Sequence, residues 1–174
     1  SPGLVAHDRH LAVFIENNAV RVSHIIENVL QLSRLETTRQ QRISLPQWLE
    51  TFLQEFVATV QAEPATFRLQ PDGGPMEVQF DPTHLHQVLW NLCDNSLKHA
   101  ADGRSEPVVL RTGRIASTGR PYVEVVVCGS GIDPANAERI FEPFFTDKAG
   151  GTGLGLFISR ELCQTNGALL AYES

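Results

Sequence analysis

Asn91-Leu-Cys-Asp-Asn95-Ser-Leu-Lys98 lies near the end of a segment, 81–100, that reads as a helix with two unlike faces. Asp81-Pro82 reads as its start. Leu85, Val88, Leu89 and Leu92 recur at helical spacing and supply a face for burial. Gln87, Asn91, Asn95 and Lys98 occupy a different face, at spacings of four, four and three. Asparagine is a poor helix former, and Glu, Lys or Gln would serve an exposed face better. A carboxamide oxygen is a hard ligand, suited to a Mg²⁺ ion that keeps its waters and bridges to phosphates. Lys98 adds a positive charge one turn on. Taken alone, the face reads more readily as solvated surface that happens to contain Asn.

Working outward, residues 8–35 read as one long helix. Ile15, Asn18, Val22, Ile25, Val29 and Leu32 alternate spacings of three and four, a heptad seam with one polar position. That seam either packs on the same domain or pairs with other helices. Ser44 opens a second helix, with Gln47 completing a capping box and Pro46 in the first turn. Leu45, Leu49, Phe52, Leu53 and Phe56 give it an apolar face as far as about Val60. Short strands are expected near Thr66–Gln70 and Met76–Phe80, with Asp72-Gly73-Gly74-Pro75 turning between them. Val108–Ile115 and Tyr122–Val127 read as a hairpin, and Leu154–Asn166 as a last helix capped by Gly167. Ala168–Tyr172 reads as one more strand. Strands without regular βαβ alternation predict an α+β fold, a two-layer α/β sandwich whose mixed sheet is covered on one face by helices.

Two glycine clusters flank an aromatic one. A β-branched strand runs into Val127-Cys128-Gly129-Ser130-Gly131, where missing side chains let backbone approach a planar ligand or turn sharply. Gly151-Thr152-Gly153-Leu154-Gly155-Leu156 places exposed N–H groups at a helix N-terminus, which favours phosphate. No GxxxxGK[ST] loop occurs, and no GxGxxG follows a strand. Each cluster alone is also an ordinary glycine turn or hinge. Between them, Phe141-Glu142-Pro143-Phe144-Phe145 reads as a lid or a packed loop.

The 174 residues suit one domain of ordinary size plus an appendage. Apolar residues make up 42%, enough for a core, and the net charge of -6 argues against nucleic acid or an anionic membrane as the main partner. Cys93, Cys128 and Cys163 are scattered, which predicts reduced thiols in a cytoplasmic setting rather than a zinc or disulfide framework. No apolar run is long enough to span a bilayer. The termini read as those of a piece of a larger protein, with any membrane anchor outside it.

These motifs, in this order and spacing, resemble the sensor histidine kinases of two-component systems. The resemblance covers the second helix of a dimerisation and phosphoacceptor hairpin, residues 1–36, and most of a Bergerat-type ATP-binding catalytic domain, residues 37–174, short of its closing strand. The N box is Asn91 to His99, the first glycine box Gly129-Ser130-Gly131, the F box Phe141 to Phe145, and the second glycine box Gly151 to Leu156. Arg21–Arg34 and Ser159-Arg-Glu-Leu-Cys163 are most similar to the sensors that regulate pili. The resemblance implies Mg²⁺ at Asn95 and both phosphate and metal at Asn91. It implies phosphate at Lys98, and adenine beside Gly129 and Gly131. Gly151, Thr152, Gly153, Leu154 and Gly155 would wrap the triphosphate, and Lys148 would reach its γ-phosphate. It further implies a histidine protein kinase using ATP and Mg²⁺, a homodimer in the full-length protein, and a response regulator as partner.

Two departures qualify this. His7-Asp8-Arg9-His10 only superficially resembles a phosphoacceptor motif, so the acceptor histidine is expected outside this segment, and His24, His84, His86 and His99 read as surface or packing residues. The family's first glycine box places an Asp two residues before its first glycine, as acceptor for the adenine amino group. Val127 stands at that position. A charge-assisted hydrogen bond contributes on the order of 1.5–3 kcal/mol, roughly 10- to 150-fold in affinity. The alternative reading is therefore a degenerate, weakly binding or non-binding module of the same fold. A gyrase- or MutL-like ATPase is a third, opposed by the long helix and the Phe-rich lid.

Overall fold

The computed structural model describes residues 38–72, 74–99, 106–129, 131–146 and 151–173, together with Asn18, Ala19, Val22, Ser23 and Ile26. Those five positions are helical, and Val22 and Ile26 are each 53% exposed. The rest of the expected helix at 8–35 lies outside the described residues.

The domain opens with a short strand β1, Gln41–Ser44, and a helix α1, Leu45–Val60. Strands β2, Phe67–Pro71, and β3, Glu77–Phe80, follow. Helix α2 is Pro82–His99, strands β4 and β5 are Val108–Arg114 and Pro121–Val126, and helix α3 is Gly155–Thr165. Single 3₁₀ turns occupy Pro64–Thr66 and Arg139–Phe141.

The strands form two ladders. In one, β1 pairs antiparallel with β3; in the other the order is β2-β4-β5, with β2 parallel to β4 and β4 antiparallel to β5. The three-stranded sheet is mixed, and helices pack with it in an α+β arrangement. Phe56, Leu49 and Leu45 from α1, Val88, Leu89 and Cys93 from α2, Leu110 and Val108 from β4, and Ile158 from α3 meet in one apolar core. Six rings extend it between α1 and α2: His86 stacks on Trp90 and meets Phe52 edge-on, with Trp48, Phe56 and Phe67 adjoining.

Four points depart from the expectations. Strand β1 was not foreseen, and β2 and β3 do not form a hairpin across Asp72–Pro75. Each pairs instead with a distant strand, β2 with β4 and β3 with β1. The capping box at Ser44 is replaced by other contacts. Leu45 N donates to Met76 O at 2.8 Å, and the Ser44 hydroxyl bonds the Gln47 side chain rather than helix backbone. The first orphan donor of the helix is thus satisfied from outside it, by the residue that precedes β3. Residues 168–172 join no ladder; Leu170 packs on the core while Leu169 faces out. The other boundaries agree to within a residue or two, and Gly167, at φ +74°, closes α3 with its N–H on Gln164 O and Ala168 N–H on Cys163 O.

Candidate nucleotide site

A buried polar hub sets the start of α2. The Asp81 carboxylate accepts from Thr83 N at 2.9 Å and His84 N at 3.3 Å, capping the helix, and from Arg39 N at 2.7 Å. Burial alone would raise its pKa. The donations from Arg39, His84 and Thr83, together with the nearby His84 side chain, outweigh that and hold the carboxyl below its ordinary value. Asp81 N in turn donates to Asn166 Oδ1 at 2.8 Å, and Asn166 Nδ2 donates to His84 Nδ1 and Leu162 O. The hub therefore fixes the C-terminus of α3 against the N-terminus of α2. His84 is part of this packing, and His86 sits in the ring stack with Glu55 3.4 Å away.

At the other end of the same helix pair, Asn91 meets the second glycine box. Asn91 Nδ2 donates to Gly155 O and to Ser159 Oγ, both at 3.1 Å, and Gln87 Nε2 donates to Asn91 Oδ1 at 3.1 Å. Ser159 Oγ donates to Gly155 O at 2.9 Å. One turn along α2, Asn95 is half-buried and makes no side-chain hydrogen bond among the described residues. Its oxygen is a hard donor ready for a cation, so the metal side of the site fits Mg²⁺. Lys98 is exposed and forms an ion pair of 2.5 Å with Asp94.

The glycine box itself is tightly folded. Gly153 has φ +67°, and its O accepts from Phe144 N at 3.0 Å. Thr152 Oγ1 accepts from Leu154 N at 3.4 Å, and Leu154 is buried. Gly155 N then starts α3, so the N-terminus of that helix, with its unpaired backbone donors, adjoins the Asn91 carboxamide. Gly151 is half-buried, and Lys148 lies outside the described residues. In the F box, the Arg139 guanidinium lies 4.6 Å from the centre of the Phe145 ring, and Phe144 is 68% exposed at φ +65°.

Strand parity orders the residues at the end of β5. Val109 pairs with Val126 and Leu110 with Val125. Side chains alternate between faces, so Val127 shares the face of Val125 and Val123, which pack on the core beneath the helices. It is 37% exposed. Cys128 is turned to the opposite face, where its thiol donates to Glu106 Oε2 at 2.8 Å. The Val127 side chain is apolar and offers no hydrogen-bond acceptor of its own. Gly131, at φ +70°, is braced by Tyr172, whose hydroxyl accepts from Ile132 N at 3.0 Å. Tyr172, Ser159 and Asp81 were not singled out from the sequence as part of the site. A serine on the buried face of an apolar helix was the available signal for Ser159.

Residues 80–174 match the family of histidine kinase-, DNA gyrase B-, and HSP90-like ATPases. The chain belongs to that family, and within it to the sensor histidine kinase type of ATP-binding catalytic domain. It is 38% identical to the sensor protein kinase PilS of Pseudomonas aeruginosa over 176 residues, covering 100% of this chain and 33% of that protein. The chain thus spans about a third of that relative's length. The nucleotide-free catalytic domain of histidine kinase ThkA superposes with a TM-score of 0.61 at 27% identity, covering 74% of this chain and 82% of that one. ThkA in complex with the response regulator TrrA shares the fold, with a TM-score of 0.70 at 23% identity over 89% of this chain and 43% of that one. Among the described residues no helix is long and apolar enough to cross a membrane.

Proposed function

We propose that residues 37–174 bind ATP with Mg²⁺ and transfer the γ-phosphoryl group to a histidine carried on a dimerisation hairpin, for relay to a response regulator. The observation that supports this most directly is the bond from Asn91 to Gly155, which joins the helix of the N box to the helix of the second glycine box. It sets candidate metal ligands beside a helix N-terminus suited to phosphate. Asn95, with Asn91, would hold the metal, and when bound Mg²⁺ would neutralise charge on the phosphates. The backbone around Gly151, Thr152, Gly153, Leu154 and Gly155 would cradle the triphosphate. Lys98 and Lys148 would add positive charge, and Lys98 must then exchange Asp94 for phosphate. Gly129 and Gly131 would border the base beside Val127. Transfer would rest on positioning and charge neutralisation.

Residues 1–36 would belong to the dimerisation hairpin, making the full-length protein a homodimer on the cytoplasmic side of any anchor outside this chain. The partner would be a response regulator, as the kinship to sensor kinases suggests.

The apolar Val127 favours a second reading, a domain of this fold that binds nucleotide weakly or not at all. Calorimetric titration of the chain with ATP and Mg²⁺ decides between them. Saturable, Mg²⁺-dependent binding is expected, tightened in Val127→Asp. No binding by either protein would remove the catalytic reading.

A further inference from the structure

We infer that Ser159 is a positioning residue, which fixes the Asn91 carboxamide so that it offers an oxygen, and no N–H, to the nucleotide site. The inference builds on the proposed ATP and Mg²⁺ site and concerns how one of its residues is aimed.

An asparagine on the edge of such a site has two opposite uses. Turned one way its NH₂ can donate to phosphate oxygen; turned the other its oxygen can ligate a cation or accept from a cation-bound water. Asn91 itself is free to choose either, because the two ends of a carboxamide are nearly the same shape. Its surroundings remove the choice. Gly155 O is a carbonyl and can only accept, so the end of Asn91 facing it at 3.1 Å must be NH₂. Ser159 Oγ also lies 3.1 Å from that nitrogen, and the serine has already directed its single O–H to Gly155 O at 2.9 Å. Its oxygen therefore accepts a hydrogen bond from Asn91. Both Asn91 N–H groups are thus engaged by α3.

The opposite end agrees. Gln87 Nε2 donates to Asn91 Oδ1 at 3.1 Å, which suits oxygen and would clash electrostatically with NH₂. A carbonyl oxygen has two acceptor positions, and this bond uses one of them. The other is what Asn91 has to give.

Ser159 is fully buried, so water cannot replace its hydroxyl without opening the helix pair. A hydroxyl buried at that point costs desolvation, which the two bonds offset. An apolar residue would fill the space equally well. Gly155 O sets which end of Asn91 faces α3, and the hydroxyl engages the second N–H, so that none is left for the site. With Ser159 present, Asn91 joins Asn95 as a second oxygen for a cation, while phosphate draws its donors from backbone and lysine.

The test uses Ser159→Ala, Ser159→Val and Ser159→Thr, each followed by two measurements. The first needs no nucleotide: side-chain amide exchange of Asn91, read by ¹⁵N NMR with Asn91→Asp to assign the signal. The Asn91 NH₂ protons are expected to be protected in the parent and in Ser159→Thr, and to exchange faster in the other two. Equal exchange in all four would overturn the orientation. The second is titration with the non-hydrolysable analogue AMPPNP, with Mg²⁺ and in EDTA. The Mg²⁺-dependent part of the affinity is expected to fall about threefold to tenfold in Ser159→Ala and Ser159→Val, the weight of one neutral hydrogen bond, and to return in Ser159→Thr. Affinity in EDTA stays unchanged. An equal loss with and without Mg²⁺ would mean that Ser159 only supports the packing, and would overturn the inference. A parent that binds no AMPPNP under either condition would remove the ATP site, and amide exchange alone would then decide how Asn91 is held.

Discussion

Gly153 and Phe144 meet backbone to backbone. Phe144 N donates to Gly153 O, and a Cβ placed on Gly153 would lie 2.4 Å from the Phe144 carbonyl carbon and 2.6 Å from Phe145 O. Main chain cannot step aside as a flexible side chain can. The left-handed φ adds roughly 1–2 kcal/mol for any L-residue.

Gly153→Ala is therefore expected to separate the F box from the second glycine box and to abolish measurable Mg²⁺-ATP binding. Gly155→Ala is the control. A Cβ there would sit 3.7 Å from Asn91 Cγ, an ordinary contact, and φ is not positive. Its melting temperature should match the parent within a degree or two, helped by the better helix propensity of Ala. Calorimetry and thermal melts of both variants check this. Equal behaviour of the two would contradict the contact geometry.

Val127 predicts a base side that reads bases poorly. Without a carboxylate to accept the adenine amino group, ATP and GTP should differ by less than about tenfold in affinity. Val127→Asp should restore discrimination by one charge-assisted hydrogen bond, on the order of 1.5–3 kcal/mol. Competition of the two nucleotides for a fluorescent ATP analogue measures both. A parent that already rejects GTP strongly would place the base-reading group elsewhere.

Asp81 predicts the shape of the acid limb. Its carboxyl titrates below the ordinary value in the folded chain. The stability it contributes is thus present above about pH 3.9, the unperturbed value, and is lost as pH falls through the lower folded pKa. Urea unfolding between pH 6 and pH 3 should show a fall in stability that Asp81→Asn flattens. At neutral pH that variant should be less stable by about 1–3 kcal/mol, since a buried charged acceptor of three backbone donors is removed. A parent-like acid limb in Asp81→Asn would exclude this role.

The thiols should divide sharply. Burial pushes Cys93 up to about 12 and Cys163 up to about 11, so neither offers thiolate in the folded chain. Cys128 is exposed, yet its hydrogen bond to Glu106 and the Glu106 charge also raise its pKa. Labelling with a disulfide reagent at pH 8 should modify Cys128 first, and Glu106→Gln should speed that step. Cys93 and Cys163 should react only in denaturant.

The helices were legible because their signals are local. Leu85, Val88, Leu89 and Leu92 announce α2 at the spacing that buries them, and Gly167 announces the end of α3 by the φ it needs. Partnering of strands was not legible. Asp72-Gly73-Gly74-Pro75 has every mark of a hairpin turn, but β2 gains more by lying parallel to β4, 41 residues on, as in the pair Phe67 and Val108. Strand β1 offers one buried apolar residue, Ile43, too little for a strand signal. The site follows the same division. Asn91, Asn95 and the glycines stand out by residue type, whereas Ser159 acquires meaning only when two helices distant in sequence are packed.

The joint at Arg39 has a mechanical character of its own. The chain entering the domain is tied there by one peptide N–H pointed at a buried carboxylate. Hydrogen bonds are directional in a way that oily contact is not. Small rotations that keep the N–H on target meet little resistance, whereas a twist that swings it away takes one of three donors from the carboxylate and releases the tie at once. The fastening behaves like a clasp rather than a hinge, and it clasps the first turn of the helix on which Asn91 and Asn95 ride.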